Sequence, residues 1–151
     1  MEEKEMNVLN EMKLSFPSKS SNESFARVAV SAFIAALDPT IDELADIKTA
    51  VSEAVTNSIV HAYKDTIGTI YIHARILDDR KITIKIRDTG CGIGNIKQAM
   101  EPMYTTCTTG ERAGLGFAVM QSFMDKVRVR SRPFKGTSVT MEKTLTSKEE
   151  S

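Results

Sequence analysis

Lys81-Ile-Thr-Ile-Lys-Ile-Arg-Asp88-Thr-Gly90-Cys-Gly92-Ile-Gly94 is the stretch on which the reading of this chain turns. Its first half alternates with a period of two, so Asp88 shares one side of a strand with Ile82, Ile84 and Ile86. Its second half opens a glycine cluster, for six of the chain's eight glycines fall between Gly90 and Gly116. Glycine costs backbone entropy, so such density marks positive φ angles or a backbone that a ligand approaches closely. A carboxylate at the end of an apolar strand face requires a donor, because burying it unpaired is costly. No basic residue follows Asp88 within three positions. A ligand offering an N–H would meet the need, and an adenine amino group is one.

Upstream of this window, Ile70, Ile72, Ala74 and Ile76 alternate along another strand, which the Asp78-Asp79 turn joins to 81–88 as a hairpin. Before it, Thr40-x-x-Glu43 has the form of a capping box opening a helix of about 22 residues. Leu44, Ile47, Val51, Ala54, Val55, Ser58, Ile59 and Ala62 form the packing stripe of that helix. Earlier still, 12–17 alternates as a short strand, and Ser20-x-x-Glu23 reads as a second capping box. The helix behind it presents Phe25, Val28, Ala29, Ala32 and Ala36 on one face and stops near Asp38-Pro39.

Downstream, a short helical piece is expected around 95–101, then a polar, Thr-rich segment at 102–113 of the kind that serves as a lid. A helix follows from near Gly114 to Asp125, then strands around 127–131 and 137–143. The order β-α-α-β-β-α-β-β predicts an α+β fold: a two-layer sandwich with a mixed sheet and its helices on one face. One domain over 1–151 is expected, with charged ends that fray near 1–8 and 145–151.

Twenty basic and twenty acidic residues give zero formal charge, which argues against nonspecific nucleic-acid or anionic-membrane binding. The acidic start suits no signal peptide, and no apolar run is long enough to span a bilayer. A cytoplasmic location is expected, with Cys91 and Cys107 as free thiols in a reducing compartment.

Glu53 and Asn57 stand one turn apart on the long helix, turned away from its apolar stripe. Such a pair is an ordinary solvated face or, alternatively, a place to hold Mg²⁺ and orient a nucleophile. Gly114-Leu115-Gly116 opens a helix, whose free N–H groups make a phosphate cradle. Arg112 just before it either adds charge toward phosphates or is an exposed lid arginine. Thr137 shares a strand face with Val139 and Met141, where its hydroxyl joins Asp88 or is simply buried. His61 near a helix C-terminus and outward-facing His73 carry no assigned chemistry.

In chain order these motifs resemble the ATP-binding domain shared by gyrase B, Hsp90, histidine kinases and MutL. Glu53-Ala-Val-Thr-Asn57, Asp88-Thr-Gly90-Cys-Gly92-Ile, Gly114-Leu115-Gly116-Phe and the late Gly136-Thr137 carry the likeness over nearly the whole chain. Within that superfamily the chain is similar to the bacterial anti-sigma factor serine kinases, in their sporulation branch. Asn22-Glu-Ser-Phe-Ala-Arg27-Val, Ser52-Glu-Ala-Val-Thr-Asn57-Ser-Ile-Val-His-Ala-Tyr63, Glu101-Pro-Met-Tyr-Thr-Thr106 and Glu111-Arg-Ala-Gly-Leu-Gly-Phe-Ala-Val-Met120 support it.

The resemblance implies an ATP-dependent protein serine kinase. Asp88, with Thr137 nearby, would read the adenine amino group, Gly90 and Gly92 would shape the base pocket, and Asn57 would ligate Mg²⁺. Arg112, Gly114, Leu115 and Gly116 would lie at the phosphates as the lid closes, and Glu53 would take the proton of the attacking serine. The substrate would be an anti-anti-sigma protein, and the other partner a sigma factor (sigma F type) held inactive by a homodimer. Arg27, read as exposed opposite the Phe25/Val28/Ala32 face, would contact a protein partner, as arginines often do at interface hot spots. A general stress-response anti-sigma kinase or a non-catalytic, nucleotide-gated sequestering module are the alternatives. A histidine kinase would need a phospho-accepting histidine before Glu53, and the sequence has none there.

Overall fold

The computed structural model describes residues 7–63, 66–91, 112–132 and 135–146, the side chains of 112–115 excepted. The strands are β1 (Val8–Pro17), β2 (Thr69–Leu77), β3 (Lys81–Asp88), β4 (Lys126–Arg132) and β5 (Gly136–Thr144). The helices are α1 (Ser21–Ile34), α2 (Ile41–Asn57) and α3 (Arg112–Phe123), with a turn of π-helix at Ser58–Ala62 continuing α2. This is the expected order, and α2 with its π turn spans the residues assigned to one long helix. The expected short helix around 95–101 and most of the lid lie outside the described residues.

The strands form one sheet in the order β1-β2-β3-β5-β4. All four described pairings are antiparallel, where the sequence reading had a mixed sheet. Topology supplies the reason. Two helices, not one, separate β1 from β2, so the chain returns reversed. Among the described residues α3 lies between β3 and β4, strands of equal direction, but β5 inserts between them and pairs with both.

One face of this sheet is apolar because its strands alternate. Ile70, Ile72, Ala74 and Ile76 of β2, Ile82, Ile84 and Ile86 of β3, and Val139 and Met141 of β5 are all buried in one cluster. Ile47, Ala50, Val51, Ala54 and Val55 of α2 pack into the same cluster, with Phe117 and Met120 of α3. The predicted α2 stripe is therefore the packing face.

Helix α1 corrects the sequence reading. It buries Ala26, Val30 and Ile34, while Phe25 and Val28 are 52% and 61% exposed. Apolar residues flank the polar line of Ser24, Arg27 and Ser31 on both sides, so periodicity alone offered two stripes and packing selected the other. Arg27 is accordingly half-buried rather than opposite the core. The Ser20 capping box does not form either. The Glu23 carboxylate that would complete it accepts a hydrogen bond from Ser52 Oγ and pairs with Arg27 at 3.7 Å.

The second box is real. Glu43 N donates to Thr40 Oγ1 at 3.1 Å, and Thr40 N donates to Glu43 Oε1 at 2.9 Å. Glu43 Oε2 also accepts from Thr146 N at 2.8 Å, pinning the start of α2 to the chain beyond β5. Thr40→Ala is expected to destabilise the fold by about 1 kcal/mol, seen as a lower urea midpoint with an unchanged slope.

Candidate functional site

Asp88 ends β3 on the buried side, as the alternation requires, and is 5% exposed. Its donors come first from the protein. Ser58 Oγ donates to Oδ2 at 2.9 Å, Gly90 N to Oδ1 at 3.0 Å and Thr137 N to Oδ1 at 3.2 Å. An ionised carboxylate offers about four acceptor positions. Three are used, so one remains for a ligand's N–H. Burial is the largest influence on Asp88 and pushes its pKa above 3.8; the Gly90 amide, the Ser58 hydroxyl, the Thr137 amide and Arg87 pull the other way.

Two of those donors were missed or misread in the sequence. Ser58 was placed in the apolar stripe of α2, and its only signal was a hydroxyl at a core position. Thr137 is buried as expected, but its hydroxyl lies 2.9 Å from Ser131 Oγ, and it is the backbone N–H that reaches Asp88. Gly136 before it has φ +102°, and a Cβ there would lie 2.2 Å from the Asp88 carbonyl. Glycine is required for that close crossing.

Glu53 and Asn57 sit half-buried on α2, and α3 brings Gly116 over them. A Cβ at Gly116 would stand 3.0 Å from Asn57 Nδ2, 3.1 Å from Asn57 Oδ1 and 3.3 Å from Glu53 Oε2. Three residues from two motifs thus converge on one point. Asn57 Nδ2 is buried and has no hydrogen-bond partner among the described residues. An orphaned buried amide is costly unless a ligand engages it.

The donor set suits Mg²⁺. No group of three or more His, Cys, Asp or Glu able to hold a metal occurs among the described residues. Mg²⁺ commonly takes one or two protein oxygens and completes its shell with waters and phosphates, so the Asn57 side-chain oxygen beside a glycine cradle fits.

Arg27 joins the site through Glu23, whose carboxylate also accepts from Ser52, the neighbour of Glu53. A cavity of about 410 Å³ between α1 and α2 is lined by Arg27, Val28, Lys48, Thr49, Ser52 and Glu53. Gly92 lies outside the described residues, and Arg112, Gly114 and Leu115 are placed only as the first turn of α3. Cys91 is disulfide-bonded, which corrects its reading as a free thiol; Cys107 lies outside the described residues. Residue spacing could not show which segments the fold brings to Cys91. No described helix is long and apolar enough to cross a membrane.

An antiparallel sheet with helices on one face, a buried carboxylate at the end of an inner strand, and a Glu/Asn pair under a glycine of α3 define a nucleotide-binding domain. The chain belongs to the histidine kinase-like ATPase domain family, whose model matches residues 16–143. It is 61% identical over 134 residues to the anti-sigma F factor of Caldanaerobacter subterraneus subsp. tengcongensis, covering 89% of this chain and 93% of that one. It is 57% identical over 142 residues to the anti-sigma F factor of Thermoanaerobacter sp., covering 94% and 99%. Its fold matches the crystal structure of the RsbU and RsbW domains of a Mycobacterium tuberculosis protein. The TM-score there is 0.67 at 18% identity, over 90% of this chain and 32% of that one.

Proposed function

We propose that this protein is an anti-sigma factor that holds a sigma factor of the sigma F type inactive. As an ATP-dependent serine kinase, it also phosphorylates the anti-anti-sigma protein that opposes it. The observation that carries the reading is the meeting of Glu53, Asn57 and Gly116, with Glu53 also lining the cavity that Arg27 lines. The histidine kinase-like ATPase domain supports ATP as the ligand, and the names of the relatives favour the sporulation type over the general stress-response type.

Asp88 accepts the adenine amino N–H with its remaining lone pair. The first turn of α3, with Arg112 and Gly114, would turn its unpaired backbone N–H groups toward the phosphates, while Leu115 and Gly116 follow inside the helix and allow close approach. Asn57 would hold Mg²⁺ through its side-chain oxygen, and the ion would supply charge neutralisation at the phosphates. Glu53 accepts the proton of a substrate serine as the serine oxygen bonds to the γ-phosphorus. The bond from that phosphorus to the bridging oxygen then breaks, and ADP leaves with its electron pair. Arg27, beside exposed Phe25 and Val28, contributes a protein-binding surface, and the protein acts as a homodimer.

Phosphotransfer tests this directly. The protein is mixed with Mg-ATP and a candidate anti-anti-sigma protein, and the partner is read by intact mass. One added phosphate on a partner serine is expected, and Arg27→Ala should raise the KM for that protein with the ATP KM unchanged. Tight ATP binding with no transfer to any such protein would instead identify a nucleotide-gated sequestering module.

A further inference from the structure

The hydroxyl of Tyr63 lies at a junction that the proposed chemistry leaves unused. Tyr63 follows the π turn at the end of α2 and is 7% exposed. Its Oη donates to the Thr69 carbonyl at 2.7 Å, where β2 begins. It accepts from Thr89 N at 2.7 Å and lies 3.0 Å from Thr89 Oγ1. A phenol has one proton and two acceptor positions, so with Thr89 Oγ1 as donor every one is engaged. The ring lies against Gly68, where a Cβ would stand 2.2 Å from Cε1. One residue earlier, the Ala62 carbonyl accepts from Cys91 N at 3.1 Å.

The turn after β3 is therefore held at both ends by the end of α2: at Thr89 by Tyr63 and at Cys91 by Ala62. Between those anchors lies Gly90, whose N–H donates to Asp88 Oδ1. We propose that Tyr63 is a positioning residue for the nucleotide base. Acting through Thr89, it fixes the turn that aims the Asp88 carboxylate, and so it sets the preference for adenine over guanine. This rests on the reading of Asp88 as the acceptor for the adenine amino group. Guanine presents a carbonyl at the equivalent ring position, which a correctly aimed carboxylate repels.

The test compares ATP and GTP, by Kd and by KM and kcat, in the wild type, Tyr63→Phe, Asp88→Asn and the double variant. Tyr63→Phe keeps the ring on Gly68 and loses only the hydroxyl. It should weaken ATP binding about tenfold, the size of one or two hydrogen bonds, with GTP binding nearly unchanged. The ATP-to-GTP ratio then falls about tenfold, while kcat at saturating ATP stays within a factor of two. In the Asp88→Asn background the same change should leave the ratio untouched, because the residue acts through that carboxylate. A lower melting temperature with an unaltered ratio would make Tyr63 a stabilising residue only, and overturn the proposal. So would equal effects in both backgrounds. A wild type that binds ATP and GTP alike would remove the Asp88 reading itself, and this inference with it.

Discussion

Glu53→Ala is expected to slow phosphoryl transfer to a protein serine by roughly 10²–10⁴-fold, the usual contribution of a positioned general base. ATP affinity should change by less than about threefold, since the assigned role of Glu53 engages the serine, not the nucleotide. Asn57→Ala should damage both binding and transfer, because its amide, unpartnered among the described residues, is the group assigned to the ion and phosphates. The two side chains stand almost equally close to Gly116, so distance alone does not separate their roles. Kinetics does. Isothermal titration with Mg-ATP and single-turnover transfer, run on both variants, give the split directly. Equal loss of ATP affinity in the two would reverse the assignment of base and ligand.

Asp88→Asn should reduce ATP affinity about 10- to 100-fold, the cost of losing a hydrogen bond to a charged acceptor. The same variant should be no less stable than the wild type when nucleotide is absent. Burial raises the Asp88 pKa above 3.8, so its ionised form is disfavoured in the folded protein. As pH rises above 3.8 the unfolded chain loses this proton first, and folding stability falls until the folded carboxyl has ionised too. Asparagine removes that penalty. Its oxygen can accept from Gly90 N and Thr137 N, and its amide can donate to the Ser58 hydroxyl. Melting temperatures should therefore favour the variant near neutral pH, and the difference should vanish below 3.8. In the wild type, ATP binding should weaken as pH falls towards the raised pKa, because a protonated carboxyl is a poorer acceptor. A variant much less stable than the wild type at pH 7 would show that the three protein donors outweigh the burial cost.

Much of the fold was legible in single segments. Period-two alternation placed Ile82, Ile84, Ile86 and Asp88 on the inner face, and Thr40 with Glu43 marked the start of α2 to the residue. Both signals are local: a strand's pleat and a helix's first turn depend on residues within four positions of each other. The face of α1 was not legible, because Phe25, Ala26, Val28, Ala29, Val30, Ala32, Phe33 and Ile34 flank the narrow polar line of Ser24, Arg27 and Ser31 on both sides. Only contact with α2 and the sheet decided that Phe25 and Val28 remain outside, next to Arg27.

The candidate site divides in the same way. Asp88, Glu53, Asn57 and Gly116 were each visible as a residue type at a telling spacing, and Gly136 through the family resemblance. The bond from Ser58 to Asp88 spans thirty positions, and that from Thr137 N spans forty-nine. No periodicity registers such distances. The junction at Tyr63 was within a quoted motif, yet its hydroxyl could not be given partners until Thr69 and Thr89 were placed beside it.

By itself the sequence determined the order of elements, the inner face of the strands and the residue types available for binding a nucleotide. Each follows from backbone periodicity and local capping, which operate along the chain. Tertiary structure alone decided that β5 lies between β3 and β4, that α1 turns Phe25 and Val28 outward, and that Asp88 meets three donors before any ligand arrives. The physical reason is that strand pairing, helix packing and burial of a carboxylate are contests among distant segments, settled only when the whole core closes.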